Sequence, residues 1–233
     1  MNPTFTSAVP FGISLLFLIL IPIPVFLIAL LGKKGAPTPQ YNSVFWTILG
    51  FYGVYFTYVA VACFKGVFAE ESLPPKILQV STLPLLLFLT LVVFNLPICK
   101  KIVANIQTAD LVRLHGFRLI GGFFIILAFY GAIPLTFALI AGLGDILTAI
   151  TSVFVANAIE TNKPYARKLT LVWNTFGFLD IICIAVMAFV LTKIAIETGA
   201  QGVDTLGQFP FCFIPAFAPP TILFLHLIIY LKI

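Results

Sequence analysis

Charged side chains are scarce in this chain. Asp, Glu, Lys and Arg make up 9% of its 233 residues, against roughly 25% in a soluble domain, and no polar block is long enough to fold separately in water. That excludes a water-soluble globule and leaves lipid as the solvent for a chain that is 61% hydrophobic with a mean hydropathy of +1.14. Only two histidines occur, His115 and His226, enough for one pair of haem axial ligands and no more. Cys63, Cys99, Cys183 and Cys212 stand far apart with no Cys-x-x-Cys pair, which removes a zinc or dithiol redox site. There is no nucleophile elbow, His-Glu-x-x-His helix or phosphate loop, so the chain is not expected to be an enzyme. No Lys or Arg precedes the first apolar run. The basic flank of a cleavable signal peptide is therefore missing, and the first span is expected to be retained.

What the chain has in abundance is apolar runs of membrane-crossing length. They predict an all-α polytopic bundle of about seven spans, near 10–31, 44–64, 77–97, 114–131, 135–158, 169–194 and 210–231, forming one domain over 1–233. The uninterrupted run from Phe117 to Ile159 is too long for one crossing. Gly131-Ala132-Ile133-Pro134 is its natural turn, since Gly tolerates a tight turn and Pro suits the first turn of a helix. The polar segment from Ile98 to Leu114 reads as a cytoplasmic extension or a surface helix.

The net charge of +5 would suggest an acidic partner in a soluble protein. Here the basic residues cluster in alternate loops, so topology explains them and no nucleic-acid partner is expected. Lys33, Lys34, Lys100, Lys101, Arg113, Arg118, Lys163, Arg167, Lys168 and Lys232 fall on one side, and Lys65, Lys76 and Lys193 on the other. By the positive-inside rule the N-terminus lies outside and the C-terminus in the cytoplasm.

Ionisable groups within spans are functional candidates because they are costly in lipid. Asp145 and Asp180 fall about ten residues into spans five and six, which places both near the midplane. Asp145 shares a helix face of small residues with Ala138, Gly142, Ala149, Ser152 and Ala156, so it should point into protein. Trp173, Gly177 and Asp180 share a face of span six, with Asn174 beside them. With no Lys or Arg expected at that depth, the two carboxylates would hold one proton between them at neutral pH. A second layer is expected roughly 5 to 10 Å inside the cytoplasmic boundary, formed by His115, Arg118, Asn174 and His226. There Arg118 either faces inward with His226 or snorkels to the headgroups. His226 needs a partner, for which a carboxylate or hydroxyl is better suited than Arg118.

Prolines interrupt span one (Pro22, Pro24), span three (Pro84) and span seven (Pro210, Pro215, Pro219, Pro220). Such breaks frame transport sites in some membrane proteins and are simple kinks in others. Tyr52, Tyr55 and Tyr58 line an aromatic pocket or only pack. The leading reading is a small-solute or proton-linked transporter that uses Asp145 and Asp180, with Asn174, Trp173, Arg118 and His226 around them. Its alternative is a seven-helix ligand-binding or receptor-like protein without transport. A b-type haem on His115 and His226 is the lesser alternative, and otherwise no cofactor is expected. Lys193 and Lys232 lie at span ends, which disfavours a retinal Schiff base. Expected partners are membrane lipid and a small ligand or proton, with an oligomer possible.

Finally, the run Phe117-Arg118-Leu119-Ile120-Gly121-Gly122, then Gly131-Ala132-Ile133-Pro134, then Phe137-Ala138 and Ala141-Gly142-Leu143-Gly144-Asp145-Ile146-Leu147-Thr148, resembles the core of a family of small uncharacterised bacterial multi-pass membrane proteins. The resemblance covers spans four and five. It implies a bacterial cytoplasmic (inner) membrane location and no particular activity.

Overall fold

A computed structural model describes residues 5–233. Among them, seven helices are long and apolar enough to cross a membrane: Phe11–Gly35, Thr38–Phe64, Leu78–Asn95, Thr108–Phe129, Leu135–Glu160, Ala166–Thr198 and Phe213–Lys232. The fold is all-helical, and the protein is a multi-pass membrane protein. The fourth and fifth spans are joined through Gly131–Pro134, where Gly131 has φ +69°. Gly is the residue that adopts this left-handed turn without a Cβ clash.

The fourth span corrects the expected boundary. It begins at Thr108, not near 114, and changes pitch twice: α-helix over Thr108–Leu114, 3-10 helix over His115–Gly121, and α-helix over Gly122–Phe129. The polar segment before it divides accordingly. Pro97–Asn105 forms a separate short helix, and the rest opens the fourth span. Gly35 lets this short helix approach the end of the first span, because a Cβ there would lie 2.7 Å from the Ile102 carbonyl oxygen. Asn105 donates to the Gly35 carbonyl at 3.0 Å, Lys232 donates to the Val103 carbonyl at 2.7 Å, and Lys34 pairs with Asp110 at 2.7 Å.

The fifth span packs between the fourth and the sixth, and the seventh packs on the second, third, fourth and sixth. The small-residue face of the fifth span (Ala138, Gly142, Asp145, Ala149, Ser152, Ala156) is buried along its length. The sixth span is the least buried, and much of it faces lipid.

Prolines in the seventh span leave a specific deficit. Pro219 and Pro220 have no N–H to donate to the carbonyls four residues back, those of Pro215 and Ala216. Neighbouring spans supply the missing donors. Thr82 Oγ1 donates to the Pro215 carbonyl at 2.7 Å, and Tyr55 Oη donates to the Ala216 carbonyl at 3.0 Å. Tyr55 Oη also lies 2.7 Å from Ser81 Oγ, and Tyr52 Oη lies 3.1 Å from Thr221 Oγ1. Tyr52 and Tyr55 therefore tie the second span to its neighbours through hydroxyls as well as rings. Ser81 and Thr82 lie in a wide π turn of the third span, Leu78–Thr82, and a second π turn follows at Phe88–Val92.

Candidate functional site

Half-way along the fourth span, at the eleventh of its 22 residues, Arg118 is 2% exposed and does not snorkel. Its Nε donates to Asp145 Oδ1 at 2.7 Å and its Nη2 to Asp180 Oδ2 at 2.5 Å. Nη1 donates to the Gly177 carbonyl at 3.2 Å and lies 3.2 Å from His226 Nε2. One guanidinium thus binds the fifth, sixth and seventh spans to the fourth.

Two sequence expectations need correction here. The carboxylates do not lie apart from a basic group, and Arg118, Asn174 and His226 do not form a separate layer below them. The early start of the fourth span adds about 9 Å of helix before the expected boundary. Its 3-10 stretch rises about 2.0 Å per residue instead of 1.5 Å. Together these carry Arg118 to the depth of Asp145 and Asp180.

Three glycines make room for the cluster. A Cβ on Gly121 would overlap Asp145, one on Gly144 would overlap the Asp180 carboxylate, and one on Gly177 would sit 2.7 Å from His226 Cε1 and 3.0 Å from Arg118 Nη1. Sequence reading missed this role for Gly121 and Gly144. Gly144 beside Asp145 and Gly177 three residues before Asp180 are visible in the sequence, but the partner helix that needs the space is not.

The hydrogen-bond network sets the tautomer of His226. Asn174 Nδ2 donates to the His226 carbonyl at 3.1 Å, which turns Asn174 Oδ1 toward His226 Nδ1 at 2.8 Å. Nδ1 is therefore the donor, leaving Nε2 to accept from Arg118. The expected partner for His226 thus proves to be an amide, not a carboxylate or hydroxyl. Trp173 Nε1 donates to the Thr148 carbonyl at 3.2 Å and to Thr151 Oγ1 at 3.1 Å, fixing the indole between the fifth and sixth spans.

His115 completes the group. Its ring centroid lies 4.2 Å from that of His226 and 5.3 Å from Trp173. It is fully buried, and both ring nitrogens lack a protein partner. A haem does not fit between His115 and His226 as they stand: the rings touch, leaving no slot for a planar macrocycle, and both nitrogens of His226 are engaged. Among the described residues no three His, Cys, Asp or Glu side chains are grouped to hold a metal ion. Beside Asp145 and Arg118, a cavity of about 30 Å³ reaches Ile21 and Pro24 at the break in the first span. It has room for a water molecule.

Residues 73–233 match the model of a family described as Domain of unknown function (DUF8737). The chain belongs to this family. The DUF8737 region runs from the loop before the third span to the end of the chain, and it holds every member of the Arg118 cluster together with the Phe117–Thr148 run. No curated protein and no solved structure matched the chain.

Proposed function

We propose that this is a bacterial inner-membrane protein, with its N-terminus outside and C-terminus cytoplasmic, that moves a proton or a proton-coupled small solute through the Arg118 cluster. The observation that carries this reading is the charge count. Arg118 is always protonated, and it stands between two carboxylates. With both ionised, the cluster would hold one net negative charge in the membrane interior, where an uncompensated charge is costly. A single added proton on Asp145, Asp180 or a neighbouring imidazole neutralises it, so the cluster has two charge states separated by one proton. The adjoining water-sized cavity and the proline break in the first span support a route to Asp145. His115, unpartnered beside His226, offers a second acceptor on the other flank. In this reading Asp145 and Asp180 hold the proton, Arg118 and His226 orient them, and Asn174 and Trp173 position His226 and the helices around it.

The test is flux. In vesicles carrying the purified protein, an imposed pH gradient should drive proton movement above that of empty vesicles. Asp145→Asn and Asp180→Asn should each abolish it while leaving a folded protein. A ligand-binding protein without transport gives the opposite result. There the wild type shows no flux, the substitutions change only thermal stability, and the carboxylates are anchors for helix packing.

A further inference from the structure

On the membrane face opposite the basic loops, the ends of the third, sixth and seventh spans frame an open cavity of about 430 Å³. That volume lies within the range of small-molecule sites. One wall is a single face of the sixth span, carrying Ala188, Thr192, Ala195 and Gly199 at steps of four, three and four. Across from it stand Ile77 and Leu78 at the start of the third span. The body of the cavity is therefore largely apolar, with Ser72, Thr192 and Gln208 as neutral polar groups.

The rim carries unbalanced charge. Four acidic residues lie on this face of the protein, Glu70, Glu71, Glu197 and Asp204. Glu70 pairs with Lys76 at 3.0 Å and Glu197 with Lys193 at 3.7 Å. Among the described residues Glu71 and Asp204 have no ion-pair partner, and both line the cavity. The lining charges are Glu70, Glu71 and Asp204 against Lys76 alone, and Lys65, the remaining base on this face, is not among them. The two carboxylates left without a counter-ion thus border this cavity.

We propose that this cavity binds a small organic cation, an ammonium group carried on an apolar body. The rim would repel an anion or an anionic lipid headgroup. A bare metal ion would find no three grouped ligands among the described residues and would make no use of the apolar walls. An ammonium with a hydrocarbon body satisfies both parts, its charge at Glu71 and Asp204 and its body against the small-residue face of the sixth span. The cavity shares no residue with the Arg118 cluster, so this inference stands or falls separately from the proton reading.

The probe is benzyltrimethylammonium, with the neutral isostere neopentylbenzene as control, measured by equilibrium dialysis against the full chain in lipid nanodiscs and against empty nanodiscs. Saturable binding of the cation is expected, weakening as salt is raised because the rim charges are exposed. The double variant Glu71→Gln/Asp204→Asn should weaken it by about tenfold or more, as expected for removing two nearby charges at high dielectric. Ala195→Trp, which fills the body of the cavity, should abolish it. The proposal is overturned if the isostere saturates equally well, if salt has no effect on wild-type binding, if the double variant binds as wild type, or if no saturable binding is found.

Discussion

Arg118 decides the charge of the interior, and its partners can be removed one at a time to show it. With one carboxylate neutralised the remaining pair sums to zero, and the substituted amide can still accept a hydrogen bond from the guanidinium. With both neutralised, the guanidinium is left buried without a counter-charge. We therefore expect Asp145→Asn and Asp180→Asn each to leave thermal stability near that of wild type. The double variant should lose about 3–5 kcal/mol, the usual cost of stranding one member of a buried ionic group. Thermal unfolding of the four proteins in one detergent measures this, and a strictly additive double variant would show that the two aspartates do not share Arg118. The aspartates themselves are legible in sequence, because a carboxylate in an apolar run is conspicuous. Their union with Arg118 is not, because it depends on where the fourth span starts and how it winds. His115 and Arg118 both lie on the 3-10 stretch His115–Gly121, and its pitch decides which residues turn inward together.

At the scale of the helix, the seventh span shows how a proline break is sustained by donors from neighbouring helices. A buried carbonyl left without a donor costs about 1–3 kcal/mol, and the Pro215 and Ala216 carbonyls avoid that cost through Thr82 and Tyr55. Thr82→Val should destabilise the protein by about that amount. Pro219→Ala restores an N–H able to bond the Pro215 carbonyl, so in its background Thr82→Val should cost less, and a double-mutant cycle should return a coupling between them. Equal costs in the two backgrounds would mean that the hydroxyl does not serve the freed carbonyl. Half of this arrangement can be read from the sequence, since two adjacent prolines identify the orphaned carbonyls by counting back four residues. The donors cannot be read that way, because Thr82 lies 133 residues from its acceptor and nothing local marks the contact. The same limit accounts for the span boundaries. Long apolar runs and the Gly131–Pro134 turn are local signals and reappear in the fold, whereas the π turn Leu78–Thr82, which presents Thr82 to the seventh span, has no local mark in the sequence.

For the molecule as a whole, the distribution of charge across the bundle sets its direction in the membrane. With Arg118 assigned to the interior, nine basic residues remain at one end: Lys33, Lys34, Lys100, Lys101, Arg113, Lys163, Arg167, Lys168 and Lys232. Three, Lys65, Lys76 and Lys193, belong to the other. Removing Arg118 from the count leaves the asymmetry intact. Ion pairs at the basic end, Arg113 with Glu160 and Lys34 with Asp110, both at 2.7 Å, do not cancel it, because acidic residues contribute little to orientation. An odd number of spans puts the two termini on opposite sides, so one reporter tests sidedness and a second tests span count. A reporter fused after Lys232 should register in the cytoplasm, and one inserted after Gly66, in the loop between the second and third spans, should register outside. If both report the cytoplasm, the count of crossings between them is wrong. If both are reversed, the bundle is intact and inverted, and the vestibule bordered by Glu71 and Asp204 opens to the cytoplasm instead.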